Sequence, residues 1–577
     1  MKKYRRWGVT AAAVFLVLCA TGILFPMMFY LNDDVTIRSI LSGAYTGTPD
    51  GHVVYMKYPL TGLISLLYRM FGKVPWFSLF FMGFFWLAVT MVLGQLVHIE
   101  SQIGKRGICL TVCVALLCVV LFVPQTVYLH YTVVAATLGG CGLFLAVMGG
   151  GKKAVLLFVL CYCVRSQVFF LMLPFLAVIF LWLLWEKRSR QQLVMPALLA
   201  VSILVCMAWN GLMYRSENWR QFEAYNDSRT LLYDYHDILP YEKYTKQYEN
   251  AGIGEWEYHI MEQYALVLEN GVNAGKLQAA ADIYVAKRET ERSMLEYFRF
   301  CLTEYYYHTL YTDKPYNYIL ICAYLLTAAL LIRERRWMQM LLLCCMAVGR
   351  SIVWIFLIWR GRFPERVYVS LYFLEIMVLA GMICAMLTGR SGHNDGVETG
   401  DNLEENGKKR RFAVMAGISG LSAVLLIGAG FVQMRSALDQ AAGQKELQKE
   451  WDMLTDYCAG REDCFYLLDV RSMVPYAGGV WDPASGKVNY LLAGGWMSRT
   501  PLLTDRLAAM GATDGGELLV MGEAKGTKIF YIAKSDRDIN WLSEYLSSRF
   551  GEVIVEKTDS IMQGERELFC VYGVTYP

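Results

Sequence analysis

Two carboxylates, Asp33 and Asp34, stand side by side directly after the apolar run 8–30. Adjacent acids at a membrane edge repel each other and are poorly hydrated, and both effects raise the pKa of at least one of them. A carboxylate made more basic and held in place is what a general base requires. Removing the proton of an acceptor hydroxyl is chemistry it suits. The same residues have a plainer use, because Asn32, Asp33 or Asp34 can cap a helix by accepting the free N–H groups of its first turn. Paired aspartates also suit Mg²⁺ or Mn²⁺ as oxygen ligands. No third ligand is legible from spacing, so the sequence requires no cofactor and leaves the metal unassigned.

A second group is basic. "WRGRFPERV" at 359–367 places Arg360, Arg362 and Arg366 in one short loop. Arginine presents a planar fork of donors suited to phosphate oxygens, and cations beside a phosphate leaving group stabilise the charge that develops on it. The bland alternative is snorkelling of long cationic side chains from helix ends. Arg165 is expected on the same face, and Arg38, His52, Tyr55, Lys57 and Tyr58 are further substrate-binding candidates from the segment 31–74. Lone histidines such as His52 and His130 are more often structural. Two charges sit inside apolar runs, Arg350 and Glu375. Intramembrane charges are costly and usually paired, so these two are expected to form an ion pair between antiparallel neighbours, beneath the arginine loop.

The elements that must position these groups follow from composition. The 577 residues are 56% hydrophobic and only 18% charged, against about 25% charged in an average soluble domain. A net charge of +3 points to no nucleic-acid partner. Of 16 cysteines, twelve fall in apolar runs, where cysteine acts as a small hydrophobe, and no metal-binding spacing appears. A membrane crossing needs about 20 apolar residues. Candidates are 8–30, 75–97, 107–123, 131–149, 154–164, 168–185, 193–213, 316–332, 337–359, 367–388 and 412–434. The run 8–30 is too long for a signal-peptide core and reads as a retained first span. "RSQ" at 165–167 splits one long run into a hairpin with a short first arm. With that hairpin, "KKYRR", "GKR", "GGKK", "EKRSR", "RERR" and "KKRR" all fall on one side, as cytoplasmic loops should. The expectation is a mainly α membrane protein with about eleven spans, N-terminus inside and C-terminus outside.

Residues 1–434 then form the multi-span domain, with outside loops 31–74 and 214–315. Loop 214–315 reads as mainly helical and packed on the membrane face. The stretches "DVTIRSILSGAY" and "YPLTGLISLLYRMFG" read as helices lying in the interface. Residues 389–411 read as a flexible polar link. Residues 435–577 read as a small extracytoplasmic α/β domain, with strands at "CFYLLDV", "ELLVMG", "KIFYIAK", "EVIVEK" and "ELFCVYGV" and a helix at "RDINWLSEYLSSRF". Its Cys458 and Cys464 are placed where a disulfide could form.

The order of features is informative. A first span is followed by an acidic pair, then "SGAYTGTPDGHVVYMKYPL", then an amphipathic stretch leading to the second span. This resembles the GT-C superfamily of polytopic glycosyltransferases, including its aminoarabinose- and mannosyl-transferring branches. Residues 1–100 carry the resemblance best. It implies a GT-C-like fold, a polyprenyl-phosphate-linked sugar as donor, and an active site on the outer membrane face. It also implies an acidic residue of the first outside loop as catalytic base, or as a metal ligand in some branches. That role falls on Asp33 or Asp34. The expected partners are the lipid-linked sugar, a glycan, lipid or protein acceptor, and membrane lipids. Two other classes stand beside this one. A transporter or lipid flippase would be expected to show related halves and broken midplane helices, and neither is visible. A non-catalytic envelope protein could use the same scaffold and bind a partner through 435–577.

Overall fold

The computed structural model describes residues 2–103, 105–187, 193–388, 401–483 and 486–576. The chain is mainly helical. Its first half runs α1 (Lys2–Leu24), β1 (Met28–Phe29), α2 (Asn32–Ser42), α3 (Tyr58–Met70), α4 (Trp76–Ile103), α5 (Lys105–Val127), β2 (Tyr128–Leu129), α6 (Tyr131–Val147), α7 (Gly151–Val164), α8 (Ser166–Leu171), α9 (Leu173–Lys187) and α10 (Val194–Met213). A polar helical layer follows: α11 (Glu217–Thr230), α12 (Tyr241–Asn250), α13 (Glu255–Glu262), α14 (Ala274–Glu291) and α15 (Met294–Tyr307). The chain returns to apolar helices with α16 (Tyr316–Arg333), α17 (Trp337–Trp359), α18 (Glu365–Leu387) and α19 (Asp401–Ala459). Among the described residues, 8 helices are long and apolar enough to cross a membrane, and the shorter apolar helices Tyr131–Val147 and Leu173–Trp185 stand among them.

At Arg165 the backbone leaves the helix (φ −154°, ψ 98°) and the chain doubles back. Cys161 before the break and Met172 after it both lie against Gly139, each sulfur 3.3 Å from where a Cβ there would be. α6 is buried along its whole length and packs mainly on α7 and α18. In contrast, α1, α10 and α19 show rows of exposed Leu, Val, Ile and Phe. Apolar side chains that face outward along entire helices fit a hydrocarbon solvent.

Two short pairings set the site. β1 and β2 pair in parallel, Met28 with Tyr128 and Phe29 with Leu129, which brings the starts of α2 and α6 together. Phe29 N–H also donates to the Gly478 carbonyl and Val480 N–H to that of Met27, so the C-terminal domain is stitched to the same spot. α2 is therefore covered. Its Ile37, Ile40 and Leu41 are fully buried, and it does not lie in an exposed interface as expected. α3 does keep an exposed apolar edge, with Leu63, Leu66 and Met70 about half exposed.

The tail departs from expectation in three places. α19 is a single helix of 59 residues, about 90 Å at 1.5 Å per residue. It starts at 401, inside the expected polar link, whose residues 389–400 lie outside the described ones. It then runs straight through the expected boundary at 434/435. Residues 435–459 are rich in Ala, Gln, Leu, Lys and Glu and contain no proline, so nothing stops the helix at the membrane edge. Leu447, Trp451 and Leu454 then pack on the C-terminal sheet.

That sheet has the order β4–β3–β6–β8–β7, with β5 on β6, built from β3 (Cys464–Leu468), β4 (Tyr490–Leu492), β5 (Glu523–Ala524), β6 (Thr527–Lys534), β7 (Ile554–Gln563) and β8 (Arg566–Thr575). The four-residue α20 (Val470–Met473) follows β3, and α21 (Pro501–Met510) follows β4. "ELLVMG" is helical, within α22 (Gly515–Met521). Asp514 caps it by accepting from Glu517 N–H, Glu517 accepts in return from Thr513 N–H, and Gly522 ends it at φ 63°. A reciprocal cap followed by a positive-φ glycine overrides the strand-like composition. The expected helix at 537–550 is α23 (Asn540–Phe550). Cys458 and Cys464 are separate buried thiols.

Candidate active site

The acid pair does not cap its own helix. The N-cap of α2 is Leu31, with no side-chain cap bond, and Asp33 and Asp34 lie within the first turn. Asp34 is fully buried, and its Oδ1 accepts from the backbone N–H of Tyr131 at 3.3 Å. It therefore serves the start of α6, the element that the β1–β2 pairing holds beside it. Its Oδ2 is buried without a partner. Burial, then the neighbouring Asp33 charge, push the Asp34 carboxyl well above the usual carboxylate range.

Asp33 differs. It is partly exposed, and no described residue makes a hydrogen bond or ion pair to its carboxylate. Four charges from distant segments lie within electrostatic reach. Burial raises its pKa, Arg366 opposes that, Asp234 adds to it, and Arg165 and Arg229 lower it.

The arginine trio splits. Arg366, one residue into α18, acts on both Asp33 and Asp34 and lines a cavity of about 30 Å³ with Tyr30, His130, Glu365 and Gln433. Arg362 is ion-paired to Asp234. Arg360 is exposed and rests on the Tyr235 ring, 4.6 Å from its centroid, at the edge of the site. Arg165 donates to the Tyr131 hydroxyl at 3.2 Å and lies over the rings of Tyr55 and Tyr131. Tyr55 also feels the Asp33 charge. So Asp33, Asp34, Arg165, Arg366 and Tyr55 come together.

The other first-loop candidates are engaged elsewhere. Arg38 donates to the Gly479 carbonyl at 2.9 Å and faces Asp482, fastening α2 to the C-terminal domain. His52 is held by Asp50 at 2.7 Å and stacks on Trp219. Tyr58 packs on His52, and the N–H of Lys57 donates to the Cys163 carbonyl. Arg38 and His52 are corrected from substrate contacts to supports, because their side-chain polar groups are held by protein, whereas Tyr58 and Lys57 are anchored through their main-chain N–H groups, to Asn210 and Cys163. Among the described residues, no group of three or more His, Cys, Asp or Glu comes together that could hold a metal ion.

Two participants, Arg229 and Asp234, escaped the sequence, and a third, His130, was expected to be structural. Arg229 is buried and bonds Asn226, Thr230 and the Tyr264 hydroxyl, the last at 2.7 Å. Asp234 bridges Arg362 and the Asp33 site. His130 is buried, and its Nδ1 accepts from Thr132 N–H at 3.0 Å. The neutral ring therefore carries its proton on Nε2, which has no partner and belongs to the residue that lines the cavity beside Arg366. "NDSRTLLYDYHD" holds an arginine and an aspartate five residues apart, the one hint available in advance.

Below that cavity lies a larger apolar groove of about 580 Å³ among α5, α16, α18 and α19, running from Lys314 and Pro315 to Leu387. Gln433 links the two spaces. Its Oε1 accepts from Tyr316, which accepts from Gln125, and its Nε2 donates to the Lys314 carbonyl. Arg350 Nε donates to Glu375 Oε2 at 2.9 Å, with both side chains buried. Tyr324 also donates to Glu375, and Arg350 to Tyr305 at 2.6 Å. The pair thus locks α17, α18, α16 and α15 together.

No family model matches this chain, and no curated protein or solved structure matches it either.

Proposed function

We propose that this chain is a multi-pass membrane glycosyltransferase with eleven crossings, N-terminus inside and C-terminus outside. It transfers a sugar from a polyprenyl-phosphate donor to an acceptor of the cell envelope. The observation that carries the reading is a partly exposed carboxylate at Asp33 within electrostatic reach of an arginine, Arg366, neither of which has an ion-pair partner among the described residues. Arg366 lines the small cavity that Gln433 joins to the apolar groove between helices. An amphiphile with an anionic head fits this layout. Its chain lies in the groove and its phosphate meets Arg366 and the His130 Nε2–H, where charge-assisted hydrogen bonds are strongest.

Asp33 serves as the base, and Asp34 holds the start of α6. Asp33 takes the proton of the acceptor hydroxyl. The hydroxyl oxygen bonds to the anomeric carbon, the bond from that carbon to the phosphate oxygen breaks, and polyprenyl phosphate leaves with the electron pair. A single displacement inverts the anomeric centre. Arg366 and His130 offset the charge gathering on the leaving phosphate. The test is transfer by Asp33→Asn and Arg366→Gln variants in lipid nanodiscs. Both are expected to insert and to lose transfer, and full activity in both would remove the assignment.

A further inference from the structure

A second cleft lies at the far end of α2 from Asp33. It measures about 600 Å³ and sits between the loop at Thr46–Asp50 and the C-terminal domain, within the size range of ligand sites. Its walls come from the start of β3, the approach to β4, α21 and the β5–β6 turn. Arg506 forms one wall. It is 7% exposed, lies between the rings of Tyr45 and Phe465 at 5.2 and 5.3 Å, and donates to the carbonyls of Tyr490 and Val488. Among the described residues no carboxylate pairs with it. Buried arginines are almost always paired, and the other buried ones among the described residues follow the rule or lean on many side-chain oxygens: Arg350 has Glu375, Arg38 faces Asp482, and Arg229 has Asn226, Thr230 and Tyr264. Two carbonyls use two of five N–H groups, so Arg506 keeps donors for an anion.

The rest of the lining suits a sugar. Lys487 is exposed and lines the cleft with no ion pair among the described residues, and Thr46, Asn489 and the exposed carboxylates of Glu462 and Asp505 offer groups for hydroxyls. The cleft also points toward the reacting end. Tyr45 touches Arg506 and lines a smaller space that follows α2 back to Asn32, while Val488 lines both. α2 spans about 16 Å, a few sugar rings from cleft to Asp33.

We propose that this cleft binds an acidic glycan, its carboxylate or phosphate on Arg506 and Lys487, and so holds the acceptor chain along α2. The word acceptor rests on the transfer reading, and the binding does not. The test measures binding, without turnover, to the full chain in nanodiscs. The probes are a uronic-acid tetrasaccharide, a glycerol-phosphate oligomer of similar length, and the carboxyl-reduced neutral tetrasaccharide. At least one acidic probe is expected to bind and the neutral one not, and the acidic probe that binds identifies the anion. Arg506→Gln is expected to weaken that binding by about tenfold or more, the loss of one charged hydrogen bond. Lys487→Gln, at an exposed position that cannot upset folding, is expected to weaken it severalfold. Asp33→Asn is expected to bind as the parent does, and a parent chain that binds an acidic probe yet transfers no sugar counts against the transfer reading alone. Equal binding of the neutral probe, binding of none of the three, or unchanged affinity in both Arg506→Gln and Lys487→Gln would overturn the proposal.

Discussion

Asp33 and Asp34 are neighbours in sequence with different surroundings, and their variants should part accordingly. Asp33→Asn is expected to insert normally and to lose transfer by about 10²-fold or more, the usual contribution of a general base, measured as product formed per unit of inserted protein. Because burial raises the Asp33 carboxyl, the rise of activity with pH should centre above the range of an ordinary carboxylate. The Asp34 effect appears in stability. Its folded-state pKa is raised, so the folded protein binds that proton more tightly than the unfolded chain. Stability is greatest when the group is protonated and falls as pH rises through the folded pKa. Asn keeps an oxygen for Tyr131 N–H and never ionises. Asp34→Asn should therefore melt no lower than the parent at neutral pH, with a gain of a few degrees that vanishes in acid. A lower melting temperature at neutral pH and a gap that persists in acid would show that the charge itself is needed.

At the scale of elements, the lock beneath the site is the Arg350–Glu375 pair. Removing one partner strands a buried charge and costs about 3–5 kcal/mol, whereas replacing both by apolar residues of similar size is often neutral. Arg350→Met and Glu375→Leu should each lower thermal stability strongly, and the double variant should recover most of the loss. An additive double variant would deny the coupling. This pair was legible in the sequence because intramembrane charges are scarce and costly, and helix direction limits who can meet whom. The acid pair and Arg366 were legible for the same reason. What escaped notice depends on loops that cross. Arg229 and Asp234 come from a segment about 200 residues from Asp33, and His130, read as structural, lies about 100 residues away; no spacing encodes their meeting. Arg38 and His52 looked like ligand contacts because polar residues in a first loop invite that reading, yet Gly479, Asp482 and Asp50 satisfy them. Likewise "ELLVMG" has strand composition, and its capping residues Thr513 and Asp514 decided for helix.

The whole molecule couples a membrane bundle to its C-terminal domain through α19 and the β1–β2 junction. The proposed eleven-crossing arrangement predicts that residue 335 and residue 565 lie on opposite sides. A cysteine placed at Glu565, on the exposed turn between β7 and β8, should react with a membrane-impermeant maleimide in intact cells. One placed at Arg335 should react only after permeabilisation, and equal labelling of both would refute the orientation. The most direct measurement is release of polyprenyl phosphate from a panel of polyprenyl-phosphate hexoses, pentoses and amino sugars, with envelope extract as acceptor. The parent chain should release it from at least one donor with inversion, while Asp33→Asn and Arg366→Gln should not. No release from any donor by the parent, or release at the parent rate by both variants, would contradict the account.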